Sequence, residues 1–281
     1  MPELPEVETI RLGLEKYIVG KTIIGVEVRL KKMVTGDPKN IIGAKVTEVR
    51  RFGKGLVIDL DNGYSITAHI KLTGQFIYEG EDVSRDIHKS IKTGGSLPNK
   101  WTHVIFKLNK GSVLYYNDLR QFGWVKIIKT PDLKTLSFFK DLGPEPFKDL
   151  NLEKFKAIIS KSNLAIKPLL MDQKRIGGIG NIYANDALFD AKIDPRRSAK
   201  KITQEEIKRL YDSILKVLKK GLESGGASEL SFVNVLGEDG GYQKHFLIYG
   251  REGEICKRCG NKIQKIRLGG RGTYFCPKCQ K

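Results

Sequence analysis

No run of 18 apolar residues occurs in this chain, so no segment reads as a membrane-spanning helix. The start has neither a basic stretch nor an apolar stretch with a small-residue cleavage site, so no secretory signal is expected and the cytosol is the expected compartment. Internal repeats and low-complexity tracts are missing as well. Acidic residues are in deficit: 32 Asp and Glu stand against 50 Lys and Arg, a formal net charge of +18. Such an excess is matched by polyanions, and no long basic amphipathic helix directs it to a membrane surface. At 281 residues the chain exceeds one average domain and fits two.

Cysteine is scarce and confined. All four lie in the last 26 residues, as Cys256-Lys-Arg-Cys259 and Cys276-Pro-Lys-Cys279 with sixteen residues between the pairs. In a reducing compartment, paired CxxC motifs at this separation point to a tetrahedral zinc site rather than disulfides. Four thiolates leave no open position for water, so one zinc per chain with a structural role is expected. Its finger would carry Arg271 at the tip, either as a phosphate ligand or as a solvated arginine.

What is present falls into two parts. From Lys21 to Lys129 apolar residues alternate with polar ones, as in Ile24-Gly25-Val26-Glu27-Val28-Arg29-Leu30 and through Val104, Phe106 and Leu108. Further strands are expected at Leu56–Leu60, Tyr64–Leu72, Ser112–Tyr116 and Trp124–Ile128, with turns at Asp61-Asn62-Gly63 and Asn109-Lys110-Gly111. Short strands joined this way suggest an antiparallel sandwich or barrel. After Asp141-Leu142-Gly143-Pro144-Glu145-Pro146 the period becomes helical. Leu152, Phe155, Ile158 and Ile159 share a face, and Thr203 with Glu206 forms a capping box before Ile207, Leu210, Tyr211, Ile214 and Leu218. Gly221 is the expected stop of that helix.

Two motifs could carry chemistry. Arg175-Ile176-Gly177-Gly178-Ile179-Gly180-Asn181 lacks the Lys-Ser/Thr of a nucleotide P-loop and follows a helix, so it reads as a turn that presents helix N–H groups to one backbone phosphate, or as a plain interhelical turn. The chain also begins Met1-Pro2-Glu3-Leu4-Pro5-Glu6. Removal of Met1 would expose the Pro2 amine, and an α-amino group titrates at about pH 8, roughly two units below lysine. It could attack an aldehyde-like carbon such as C1′ of a deoxyribose, with Glu3 moving the proton. The same residues also suit an ordinary helix start, with Val7, Ile10 and Leu14 inward and Arg11 and Lys16 solvated.

Four motifs in order, PELPEVET at the N-terminus, YNDLRQFG at 116–123, GGIGNIYANDALF at 177–189 and the four-cysteine finger at the C-terminus, closely resemble bacterial formamidopyrimidine-DNA glycosylases, the Fpg branch of the Fpg/endonuclease VIII family. The resemblance runs through nearly the whole chain. It implies an α+β protein of two domains, an N-terminal helix plus antiparallel β-sandwich followed by a helix-two-turns-helix domain with a four-cysteine zinc finger. The boundaries expected are 1–133 for the catalytic sandwich, 134–150 for a hinge, 151–250 for the helical domain and 251–281 for the finger. The implied activity is a monomeric, bifunctional glycosylase and AP lyase in base excision repair, acting on oxidised purines in double-stranded DNA.

By the same resemblance Pro2 is the nucleophile, Glu3 the proton donor and acceptor, Glu6 a supporting acid, and Lys54 the lysine at the mouth of the site that contacts phosphate and helps the lyase steps. His69, Asn181 and Arg271 are implied DNA contacts. Leu72, Arg120 and Phe122 are the side chains that fill the gap left by an extruded base. Lesion contacts are expected from the loop of Gly225, Gly226, Ala227 and Ser228 through Tyr242. Three positions depart from the family's habit: Leu72 replaces methionine, Gln121 a basic residue and Trp101 a histidine. Endonuclease VIII-type proteins usually have Gly where this chain has Leu4. A non-catalytic zinc-finger protein that binds damaged DNA or RNA is the alternative of another class.

Overall fold

The computed structural model describes residues 1–83 and 90–281. Helix α1 (Leu4–Ile18) opens the chain, followed by β1 (Ile23–Val28), β2 (Val34–Thr35), β3 (Val46–Phe52), β4 (Gly55–Leu60), β5 (Tyr64–His69), β6 (Gly74–Glu79), β7 (Thr102–Leu108), β8 (Val113–Asp118) and β9 (Trp124–Lys129). They form a four-stranded sheet in the order β1-β7-β8-β6 and a five-stranded sheet in the order β2-β9-β5-β4-β3. Pairing is antiparallel except where the two-residue β2 runs parallel to β9. The turns at Asn62-Gly63 and Lys110-Gly111 fall where expected, between β4 and β5 and between β7 and β8.

Strands β2, β3 and β6 lie outside the expected set; β2 is only two residues long, and the other two escape for different reasons. In β6 five consecutive residues, Gly74 to Tyr78, are buried, so no alternation marks it. In β3 the period is broken by Arg50-Arg51, and Arg51 is buried because its guanidinium meets Glu8 of α1 at 2.8 Å. Val7, Ile10, Leu14 and Ile18 of α1 join the core formed by the two sheets. Each such side chain contributes about 1.5–3 kcal/mol on burial. Arg11, expected to be solvated, instead bridges Glu8 at 2.7 Å and Glu15 at 2.9 Å.

The helical elements are α2 (Ser137–Lys140), α3 (Leu152–Ser160), α4 (Ile166–Met171), α5 (Asn181–Asp190) and α6 (Gln204–Glu223), followed by the hairpin β10 (Gln264–Leu268) and β11 (Arg271–Phe275). The capping box is present: the Glu206 N–H donates to Thr203 Oγ1 at 3.3 Å, and the Thr203 N–H donates to Glu206 at 2.9 Å. Gly221 does not stop α6, which continues to Glu223. It is there for close approach, since a Cβ at this position would lie 2.4 Å from the Tyr183 hydroxyl.

The chain divides into two compact units, Met1–Lys140 with Leu222–Gln243, and Asp141–Gly221 with Lys244–Lys281. This departs from the expected 151–250 helical domain, because residues 222–243 return to the first unit. Apolar burial explains the return: Phe232 and Val235 sit in the sandwich core, and the Tyr78 N–H donates to the Val235 carbonyl at 2.7 Å.

Candidate active site and nucleic-acid interface

In the first unit the N-terminal turn is buried. Pro2, Glu3 and Glu6 are all inside, and Glu3 is the N-cap of α1. Glu6 returns to the Glu3 N–H at 2.7 Å through Oε2, while its Oε1 accepts the Ala227 N–H at 2.7 Å. One carboxylate therefore holds both the start of the chain and the loop of residues 225–228. Gly226 is required there: its φ is +82°, and a Cβ would come within 2.9 Å of Glu6 Cγ. Ala227, Ser228 and Tyr242 are buried too, so these lesion-loop candidates form the loop's foot. The Tyr242 N–H donates to the Gly226 carbonyl at 2.9 Å, and Ser228 Oγ donates to the Phe232 carbonyl at 2.7 Å. The exposed crown of the loop is Glu229 and Leu230, which the motif reading did not reach.

Lys54 occupies the tight turn between β3 and β4, where Phe52 pairs with Gly55. Arg51, itself held by Glu8, donates to the Gly53 carbonyl at 2.9 Å and so ties this turn to α1. Lys54 is buried next to His69, whose ring packs edge-on against Phe138 at 5.0 Å. Burial first, and then the positive charges of Lys71 and Lys54, hold the His69 pKa down to about 3. Its Nδ1 accepts the Lys71 N–H at 3.0 Å, which leaves Nε2 as the protonated, donating nitrogen.

The sign of the resulting pH effect is fixed. The unfolded chain protonates this histidine near its ordinary value, while the folded chain stays neutral down to about 3. Unfolding thus takes up a proton between those limits, and stability falls as pH drops through that window. Unfolding free energies from urea titrations between pH 7 and pH 4 are expected to fall less steeply for His69→Gln than for the parent, by up to about 1.4 kcal/mol per pH unit. Parallel profiles would show that His69 is not the buried neutral base described.

Leu72, Arg120 and Phe122 are brought to neighbouring loops. The Arg120 N–H donates to Thr73 Oγ1 at 2.9 Å, linking the β5–β6 loop to the β8–β9 loop. Phe122 is 53% exposed and carries the Arg120 guanidinium 4.7 Å above its ring. An exposed aromatic with a stacked cation is a surface suited to meeting a base. Gln121, at φ +56°, makes the sharp step between the two side chains. Trp101 packs its ring on Gly94, and its carbonyl accepts the Asp118 N–H at 2.8 Å.

In the second unit α5 begins at Asn181 behind N-cap Gly180. Its anchor is Lys167, 0% exposed, which the sequence did not single out. The Lys167 ammonium donates to Asn181 Oδ1 at 2.7 Å, the Gly272 carbonyl at 2.8 Å and Thr273 Oγ1 at 2.7 Å. Three acceptors compensate the buried charge. They also fix Asn181 against the finger and turn its amide N–H groups away from the ammonium. Arg271 is exposed, as expected, but it opens β11 opposite Leu268 rather than standing at the very tip.

The sulfur atoms of Cys256, Cys259, Cys276 and Cys279 all lie within 4.8 Å of one another, with Cys259–Cys276 at 3.4 Å and Cys256–Cys279 at 3.9 Å. A tetrahedral zinc with thiolate bonds of about 2.3 Å separates its ligands by about 3.8 Å, so the donor set fits one structural zinc.

The four-cysteine cluster and the strongly basic chain define a class first, a zinc-finger protein suited to nucleic acid. Three family models match the chain: the formamidopyrimidine-DNA glycosylase N-terminal domain over residues 1–125, the formamidopyrimidine-DNA glycosylase H2TH domain over 142–232, and the zinc finger found in FPG and IleRS over 253–281. The chain belongs to the formamidopyrimidine-DNA glycosylase family. The formamidopyrimidine-DNA glycosylase of Streptococcus mutans is 40% identical, with 100% of both chains covered. That of Pelotomaculum thermopropionicum is 41% identical, covering 100% of this chain and 99% of the relative. Among solved structures, Lactococcus lactis Fpg in complex with DNA containing an abasic site superposes with a TM-score of 0.86 at 35% identity, covering 99% of each chain. The same enzyme has been crystallised with DNA containing Fapy-dG and with DNA containing an oxidised pyrimidine. Among the described residues, no helix is long and apolar enough to cross a membrane.

Proposed function

We propose that this chain is a cytosolic, monomeric base-excision repair enzyme that removes 8-oxoguanine and formamidopyrimidines from duplex DNA and then cleaves the strand. The observation that carries this reading is the Glu6 carboxylate shared by the N-terminal turn and the 225–228 loop. It supports an active site in which Pro2 lies beneath a loop suited to hold an extruded base.

With Met1 removed, the Pro2 nitrogen forms a bond to C1′ as the bond from C1′ to the damaged base breaks, and the proton that the Pro2 nitrogen sheds leaves on the base. Glu3 protonates the sugar ring oxygen, which opens the ring and gives the iminium. The Glu3 carboxylate then takes a proton from C2′ and the 3′ phosphate is expelled, loss of the C4′ proton expels the 5′ phosphate in a second elimination, and water adds to the iminium carbon and frees Pro2. Lys54 holds phosphate beside these steps, and His69 offers its Nε2–H as a neutral donor. Leu72, Arg120 and Phe122 fill the gap in the stack, and the Arg120 fork meets the orphaned cytosine. Asn181 and Arg271 bind backbone phosphates, with the Asp141–Pro146 stretch as hinge.

The test is single-turnover excision from duplexes carrying 8-oxoguanine or an oxidised pyrimidine, with borohydride added to trap the intermediate. Faster release of the purine, with trapping, is the expected result. A preference for the pyrimidine would assign the endonuclease VIII type of activity, and binding without trapping would leave a non-catalytic protein.

A further inference from the structure

Asp118 closes β8 with a carboxylate that is 0% exposed and that the chemistry above does not use. It stands between two loops 45 residues apart in the chain. Oδ1 accepts the Thr73 hydroxyl and, at 3.2 Å, the Arg120 N–H; Oδ2 accepts the Gly123 N–H at 2.7 Å. The Arg120 N–H is shared with Thr73 Oγ1, so the three groups form a closed set. Asp118 is itself held on both sides of its backbone, since its N–H donates to the Trp101 carbonyl at 2.8 Å and its carbonyl pairs with His103 Nε2 at 2.8 Å. Leu72 immediately precedes Thr73, and Arg120 and Phe122 lie inside the turn that Asp118 closes from residue 118 to 123.

We propose that Asp118 is a positioning residue that joins the Leu72 loop and the Arg120–Phe122 turn into one wedge, so that the three side chains enter the duplex as a unit. This rests on the reading above that these side chains fill the gap. The physical basis is the cost of order. Two independent loops must each lose conformational freedom on insertion, whereas loops already cross-linked through a buried carboxylate have lost it on folding. The anion is required because it accepts three donors at once without offering one. In Asp118→Asn an amide NH₂ must face an N–H or hydroxyl donor, and one side of the set opens. Thr73→Val keeps shape and removes only the link across the loops.

The experiment uses both variants in the full chain. Excision of 8-oxoguanine from intact duplex is expected to slow by about 10- to 100-fold. Strand cleavage at an abasic site in single-stranded DNA, which needs no wedge, is expected to stay at the parent rate, and a lesion placed in an unpaired bulge should recover most of the loss. A 2-aminopurine beside an uncleavable abasic analogue in duplex DNA should brighten with the parent and not with the variants, a readout that does not depend on catalysis. Parent-like excision and unstacking by Thr73→Val would overturn the proposal, as would equal losses on all the DNA substrates. A parent that unstacks the analogue duplex but never traps would instead sink the proposed reaction and leave the wedge standing.

Discussion

Protein that keeps a residue ahead of Pro2 is expected to form no borohydride-trapped product and to lose base excision by about 10³-fold or more, while still binding DNA. The reason lies in one atom. As long as Met1 is attached, the Pro2 nitrogen is a tertiary amide whose lone pair is delocalised into the carbonyl, so it has neither the nucleophilicity nor the proton chemistry of an amine. Inserting one bulky residue after Met1 blocks its removal and gives this variant directly. A crosslink formed by the blocked protein would point to a lysine amine, Lys54 first, as the attacking group and would refute the role assigned to Pro2.

Removing zinc is expected to act on binding rather than on chemistry. Cys256 and Cys276 are buried with Phe189, Ile248 and Ile263, so the metal site is also the finger's core. Zinc-finger peptides draw about 10–16 kcal/mol of folding free energy from their ion. Without it the β10–β11 hairpin loses its clasp, and Lys167 loses the two acceptors that hairpin supplies, Gly272 and Thr273. The damage therefore passes through a buried ammonium to Asn181. Chelation or Cys276→Ser is expected to weaken duplex binding by about 10²-fold or more at moderate salt, whereas Arg271→Ala should act as one lost phosphate contact and lower the salt slope by about one. Affinity unchanged by chelation would remove the finger from the interface.

The features legible in the sequence were those written in short spacings. The cysteine pairs, the Thr203–Glu206 box, the turn residues between β4 and β5 and between β7 and β8, and the acidic helix start each depend on neighbours a few positions away. What could not be read depends on partners far along the chain. Arg51 and Lys167 look like two more surface cations until Glu8, Asn181 and Thr273 are placed beside them. Glu6 reads as a capping acid, and only its contact with Ala227, 221 residues later, gives it a second task. Strand β6 hides because it is covered on both faces. The 225–228 loop falls inside the 151–250 bounds expected for the helical domain, whereas apolar burial of Phe232 and Val235 decides where it belongs.

The return of residues 222–243 also sets an order of construction. A ribosome that has made the first 140 residues has made every strand of the sandwich but not its whole core, since Phe232 and Val235 are still to come. Glu6 then still lacks its Ala227 partner. The first turn of the chain is among the last parts to be finished, and it waits for the whole helical stretch up to α6 to be synthesised. A fragment ending at the unit boundary near Lys140 would carry all the proposed catalytic side chains and lack the segment that seats them.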